Sequence, residues 1–205
     1  MEGYHRYLSL RAERSLSDEM TSEMLSVFAT HSMLGSPEAL RYTEQLCAQV
    51  AALPEGAAWE KRILWLPHPA PHWQDSLRAL LNFRPDVEIV GCDMALDADV
   101  LPEPERPYES MARRLVCSSF NGGAERRAER AAELARLLRA DGAVYFCHWG
   151  CKQTSGAAQL VKRRLEAAGF PTLVLDGDGC DSGNVNDGQM VTRLQAFLEL
   201  LEGCR

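Results

Sequence analysis

The chain has 205 residues, 46% of them apolar, and a formal net charge of −7. This apolar content suffices for a packed core and excludes a disordered chain. The acidic balance argues against a nucleic-acid binder, whose phosphate contacts need a surplus of clustered Lys and Arg. The basic clusters Arg126–Arg127 and Lys162–Arg164 fall within helical patterns, where we expect solvated faces.

No stretch reaches the roughly 18 continuous apolar residues of a membrane span, and the first residues contain no apolar signal core. We therefore expect a cytoplasmic protein that does not associate with membranes. Its seven cysteines are an odd number in a chain without a secretion signal. Thiols, metal ligands or redox centres are thus favoured over a disulfide framework.

Residues 1–58 are predicted to form a helical arm or appendage. One helix follows a candidate cap at Ser17, with Met20 and Met24 at helical spacing. A second helix opens at Ser36–Glu38 and is ended by Pro54.

From Arg62 onwards, short apolar runs alternate with amphipathic stretches. The predicted strands are Ile63–Leu66, Val87–Val90, Ala143–Phe146 and Thr172–Leu175. The predicted helices cover 74–83, a segment from 108, then 124–139, 155–168 and 187–201. This alternation indicates parallel βαβ units, so residues 59–205 are predicted to form a Rossmann-like α/β domain, a parallel sheet flanked by helices.

Ligands of such folds gather at the carboxyl ends of the strands. The most informative segment there runs from Cys147 to Gly156 and leaves a buried strand to enter a helix. Cys151 would lie just before a helix N-terminus and beside Lys152, and both features stabilise a thiolate. Gly150 would allow the tight turn. Cys147 is better explained as a small apolar residue at a strand end.

A second segment, Asp176–Asn184, is a glycine-rich acidic loop after a strand. It lacks the terminal Glu of a calcium loop and follows a strand rather than a helix, so calcium is disfavoured. We expect it to form a wall of the site opposite Cys151, with Asp178, Cys180 or Asn184 ordering the loop by hydrogen bonds to backbone groups.

Other candidates are less specific. Cys117–Gly123 suits either a functional turn or a simple helix cap, and His68 and His72 are either ligands or solvated loop residues. A structural zinc would need Cys147, His148, Cys151 and Cys180 to converge, although Cys147 and His148 are adjacent and poorly spaced for it. No nucleotide-binding glycine loop, zincin motif or serine-hydrolase elbow is present.

The run Gly142–Lys152, the Asp-Gly-Asp loop after it and the segment Gly188–Phe197 together closely resemble the C-terminal end of the 2-hydroxyacyl-CoA dehydratase and benzoyl-CoA reductase family. Cys117–Gly123 is similar to that family's Ser/Cys-x-Phe-Asn-Gly turn. The resemblance spans most of the chain and is densest after Cys117.

The resemblance implies a [4Fe-4S] or double-cubane cluster bound by cysteines from two Rossmann-like domains. The ligand cysteine of the family's His-x-x-Cys-Lys turn maps onto Cys151, with His148 and Lys152 as cofactor-binding neighbours in that turn. Around these, the possible supporting residues are Asn121, Asp178, Cys180 and Asn184.

For function, the resemblance implies a lyase that eliminates water from an (R)-2-hydroxyacyl-CoA through a ketyl radical. Its partners would be a homologous dehydratase subunit and an ATP-dependent activator that supplies the electron. Because relatives with the Gly-Cys-Lys-Gln-Thr turn include double-cubane reductases, a low-potential reductase component is the alternative, and a cluster-free Rossmann-like binding module is another. Family subunits are nearly twice as long. We therefore expect a C-terminal fragment or truncated member that alone is inactive and holds no stable cluster.

Overall fold

The structure is a computed structural model that describes residues 2–14, 33, 35–55, 61–67, 74–81, 86–93, 101–184 and 187–203. The helices are α1 (Glu2–Arg11), α2 (Pro37–Ala51), α3 (Asp75–Leu81), α4 (Pro107–Cys117), α5 (Ala124–Leu137), α6 (Lys152–Ala167) and α7 (Asp187–Glu202). The strands are β1 (Lys61–Leu66), β2 (Val87–Cys92), β3 (Gly142–His148) and β4 (Thr172–Gly177). Within these ranges, no helix is both long and apolar enough to cross a membrane.

The four strands form one parallel sheet in the order β2-β1-β3-β4. Alternate residues of the strands enter two separate apolar cores, because successive side chains point to opposite faces of a sheet. One core contains Tyr145 with apolar residues of α1, α2, α5 and α6. The other contains Phe146 with residues of α3 and α7. The predicted Rossmann-like α/β architecture, with helices on both faces of a parallel sheet, is confirmed.

The predicted strands are all present, and each extends beyond its apolar run to include polar or small residues such as Lys61, Gly142 and Asp176. The helix predicted from Ser36 is confirmed, and the Ser36 hydroxyl accepts a hydrogen bond from the Ala39 N–H at 3.1 Å. The helix expected after Ser17 lies outside the described residues. α6 begins at Lys152, three residues before the start predicted near Ser155.

The N-terminal helices pack directly on the sheet. Tyr4 and Tyr7 of α1 are buried in the same core as the strand residues Leu64 and Tyr145. At the end of α1, the buried guanidinium of Arg11 pairs with the buried carboxylate of Glu88 in β2. The division into an arm of residues 1–58 and a domain of residues 59–205 stays a prediction.

Candidate functional site

The candidate site lies at the carboxyl edge of the sheet, where β3 and β4 end side by side. Their last residues, His148 and Gly177, are register partners. β1 and β3 are neighbours, but the next helices on the chain, α3 and α6, pack on opposite faces of the sheet. The direction in which strands are added to the sheet therefore reverses between β1 and β3. In doubly wound folds, the crevice outside the ends of two such strands is the usual ligand position.

Cys151 is the residue that caps the N-terminus of α6. Its backbone is extended (φ −110°, ψ 98°), its N–H donates to the His148 carbonyl at 2.9 Å, and its carbonyl accepts from the Ser155 N–H at 3.2 Å. The side chain is half-buried. The prediction that Cys151 directly precedes a helix N-terminus is therefore confirmed, and the positive end of the α6 dipole lies at its thiol.

The pKa of the Cys151 thiol is lowered from its usual value. The largest causes are the backbone N–H and then the hydroxyl of Thr154, followed by the Gln153 N–H and the charge of Arg127, while partial burial opposes them. The sulfur makes no capping hydrogen bond of normal geometry. We therefore interpret the lowering as the effect of nearby donors that become hydrogen-bond partners when the thiolate forms.

Cys147, four residues earlier, behaves in the opposite way. It is buried in the core between the sheet and α6, and burial raises its pKa to about 11, with the charges of Asp176 and Cys151 adding to the effect. A thiol of this kind stays protonated at neutral pH. The sequence-based interpretation of Cys147 as a small apolar residue at a strand end fits these surroundings.

A buried cation lies behind the turn, at Arg127 of α5. Its Nε donates to the Asp93 carboxylate at 2.8 Å, and its guanidinium carbon lies 4.5 Å from the Phe120 ring centroid. The expectation that Arg126–Arg127 forms a solvated face is thus wrong for Arg127, which is 3% exposed. The sequence did contain a signal, because Arg127 shares a helical face with Ala131 and Leu134, which are also buried.

His148 belongs to the opposite side of the turn. Its Nδ1 accepts a hydrogen bond from the Gly179 N–H at 3.1 Å, and its Nε2 lies 4.0 Å from the Cys180 sulfur. A Cβ at Gly150 would approach Nε2 to 2.9 Å, so this glycine gives the imidazole ring its space. The turn therefore directs Cys151 to α6 and the His148 ring to the loop after β4.

The loop after β4 is ordered by its own side chains, as predicted. The Asp178 carboxylate accepts the N–H groups of Cys180 at 2.9 Å and Asp181 at 3.1 Å, and the amide of Asn184 at 3.2 Å. These donors lower the pKa of Asp178. The arrangement brings Cys180 back towards His148, so the loop lies beside the turn. That it forms a wall of the site opposite Cys151 stays a prediction.

The remaining residues that the sequence singled out lie at the end of α4, in the first turn of α6 or outside the described residues. The Asn121 amide donates to the Leu115 carbonyl at 2.8 Å and so closes the end of α4, while Gln153 at the start of α6 donates to the Phe120 carbonyl at 3.4 Å. Lys152 is exposed in the first turn of α6. His68 and His72 lie outside the described residues.

The four-residue zinc set is not assembled. Among the described residues, the potential metal ligands that come together are His148, Asp178 and Cys180, whose ligand atoms all lie within 4.8 Å of one another. Cys147 and Cys151 are not part of this group, because the strand directs Cys147 into the core and the helix cap holds Cys151. Sequence reasoning also missed Thr154, although a Thr three residues after a helix cap is a plausible donor at that position.

Residues 2–201 match the family described as 2-hydroxyglutaryl-CoA dehydratase, D-component. The chain is also 27% identical over 123 residues to the (R)-phenyllactyl-CoA dehydratase beta subunit of Clostridium sporogenes. That alignment covers 57% of this chain and 32% of the relative, so the chain spans about a third of the relative's length. The family match covers nearly the whole chain, and the chain belongs to the 2-hydroxyglutaryl-CoA dehydratase D-component family.

Proposed function

We propose that this chain is a component of a 2-hydroxyacyl-CoA dehydratase-type lyase and that Cys151 supplies one thiolate to its [4Fe-4S] cluster. The observation that carries the proposal is the position of Cys151 as the cap of α6, with a thiol whose pKa is lowered. Cluster iron binds cysteine as the thiolate, so the donor chemistry of this residue fits the group. The double-cubane alternative would use the same ligand.

When bound, the cluster would supply a low-potential electron for water elimination from an (R)-2-hydroxyacyl-CoA. The protein's part is electrostatic. The N–H groups at the start of α6 and the exposed ammonium of Lys152 lie at the turn that carries Cys151, and both favour added negative charge there. The buried Arg127, which is paired with Asp93, makes a smaller contribution in the same direction. We do not propose His148 as an iron ligand, because its ring nitrogens contact the Asp178–Cys180 loop.

The complete enzyme would include a homologous dehydratase subunit and an ATP-dependent activator. α4 presents an exposed apolar surface that is suited to burial against another polypeptide, formed by Tyr108, Met111, Leu115 and Val116. This helix ends at the turn that Gln153 joins to α6. The end of α4 is therefore linked through this hydrogen bond to the helix that begins after Cys151.

The function is tested by tagging the chain in its native host and purifying it anaerobically with the subunits that accompany it. We expect the complex, supplied with activator, ATP and a reductant, to convert (R)-2-hydroxyacyl-CoA thioesters to enoyl-CoA products. Cys151→Ala should abolish this conversion, and the exposed Cys117→Ser variant should retain it. Conversion by the Cys151→Ala complex at the parent rate would contradict the proposal.

A further inference from the structure

The second cluster of potential ligands lies across the turn from Cys151. We propose that His148, Asp178 and Cys180 form a binding site for a single zinc ion, separate from the iron ligand Cys151. This inference goes beyond the proposed function and does not depend on it, because none of the three residues is assigned to the cluster.

The three donors lie near one another. A zinc ion binds one nitrogen of an imidazole ring, and His148 Nδ1 lies 3.6 Å from Asp178 Oδ1, whereas Cys180 Sγ lies 4.0 Å from the other nitrogen, Nε2. Zinc bonds of about 2.0–2.3 Å place tetrahedral ligand atoms about 3.3–3.8 Å apart. The ligand atoms, which all lie within 4.8 Å of one another, must draw together to bind one ion, and rotation of the exposed Cys180 side chain would bring its sulfur towards the nitrogen that Asp178 faces.

Parallel pairing and loop hydrogen bonds hold the donors in place without a metal. Register pairing sets His148 beside Gly177, the residue before Asp178. The Asp178 carboxylate then accepts the Cys180 N–H and fixes the return of the loop. Ligands positioned in advance lose less conformational freedom on binding, and this raises metal affinity.

The hydrogen bonding of His148 also suits a metal. Since the Gly179 N–H donates to Nδ1, this nitrogen has a lone pair that a metal ion can take. An incoming ion would replace the Gly179 N–H at Nδ1, next to Asp178 Oδ1. The Cys180 thiol would lose its proton to solvent as its sulfur binds the ion, so affinity should rise with pH.

The donor set selects the metal. One imidazole nitrogen, one thiolate and one carboxylate suit a borderline ion such as Zn²⁺, whereas Mg²⁺ and Ca²⁺ require oxygen ligands. Cys180 is exposed and both other side chains are partly exposed, so the ion can enter from solvent. Three protein ligands leave the fourth tetrahedral position to water or another ligand.

The test uses the full chain, stripped of metal with a chelator and kept reduced under anaerobic conditions. Zinc affinity is measured by competition with a chromophoric chelator, and Co²⁺ is added separately to detect a thiolate-to-metal charge-transfer band. We expect one zinc per chain. Cys180→Ser and His148→Gln should each lower the affinity at least about 100-fold, more than the loss typical of an outer-shell residue. Cys180→Ser should also remove the cobalt band.

Matched cysteine variants separate this site from the others. Cys117→Ser and Cys151→Ser should bind zinc and cobalt like the parent chain, and circular dichroism should confirm that Cys180→Ser is folded. Equal zinc affinity in the parent and Cys180→Ser chains would overturn the proposal, as would a cobalt band that disappears only in Cys151→Ser. No iron or sulfide is added, so the outcome is independent of the dehydratase assignment.

Discussion

At the residue scale, the chemistry of Cys151 depends on donors that neighbouring residues supply. Thr154 contributes its backbone N–H and its hydroxyl, and the hydroxyl donates to the Cys151 carbonyl at 3.0 Å when the sulfur does not engage it. Thr154 is 2% exposed, so solvent does not compete for this hydroxyl. A substitution there tests the electrostatics of the thiol without removing the thiol.

We expect Thr154→Val to raise the pKa of Cys151 towards its usual value, because valine keeps the shape and removes the hydroxyl donor. The alkylation rate of Cys151, followed by peptide mass spectrometry across pH, should then reach half its maximum at a higher pH than in the parent chain. Thr154→Ser, which keeps the hydroxyl, should restore the parent profile. Identical profiles in all three chains would contradict this role of Thr154.

The same lowered pKa has a defined effect on stability. A native pKa below the unfolded value means that the thiolate favours the folded state. The contribution of Cys151 to stability is therefore present above the unfolded pKa and is lost as pH falls through the native pKa. The contribution of Cys147 to the pH dependence of stability has the opposite sign. Its pKa is raised in the folded state, so stability falls as pH rises from 9.0 to about 11.

At the element scale, the turn between β3 and α6 depends on glycine at one position. A Cβ at Gly150 would come within 2.9 Å of His148 Nε2, whereas a Cβ at Gly156 in α6 would meet nothing within 4 Å. The ring of His148 is also held by the Gly179 N–H. The imidazole ring of His148 therefore has little freedom to move away from a side-chain atom added at Gly150.

We expect Gly150→Ala to lower the free energy of unfolding by about 1–3 kcal/mol, the usual cost of overpacking. Gly156→Ala should instead raise it by about 0.5–1 kcal/mol, because alanine is the better helix residue. Urea denaturation of both variants measures the difference. A Gly150→Ala chain as stable as the parent would show that the ring can move aside.

Local patterns predicted the elements well, because strands and helices follow from the spacing of apolar residues. They placed the start of α6 about three residues late, because cysteine is not among the favoured N-cap residues and the cap of this helix is Cys151. They also treated Arg127 as solvated, because its partner Asp93 lies 34 positions away in sequence. Long-range pairing of this kind has no local sequence signal, and neither does the approach of Cys180 to His148 across two loops.

At the scale of the whole molecule, the N-terminal helices and the sheet are joined by a buried ion pair. Arg11 is 2% exposed and Glu88 is 5% exposed. The Arg11 carbonyl also accepts a hydrogen bond from Arg62 of β1 at 2.6 Å. Removing Arg11 leaves the buried Glu88 carboxylate with the more distant Arg62, whose Nη1 lies 3.7 Å away, so its charge is then only partly compensated.

We expect Arg11→Met to lower the free energy of unfolding by about 1–3 kcal/mol, because Arg62 stays near Glu88. The double variant with Glu88→Leu should recover part of that loss, since it removes the partly compensated carboxylate. Urea unfolding followed by circular dichroism and by tryptophan fluorescence provides the measurement. Coincident transitions would indicate that the arm unfolds with the sheet. A loss below about 1 kcal/mol in Arg11→Met would contradict a structural role for the pair.

Binding of cluster iron by Cys151 is measured by the iron and sulfide content of the anaerobically purified complex. We predict iron and acid-labile sulfide in near-equal amounts in the parent complex and in Cys117→Ser. In Cys151→Ala, with the subunits still associated, we predict the loss of both. Unchanged iron and sulfide in the Cys151→Ala complex would show that Cys151 is not an iron ligand.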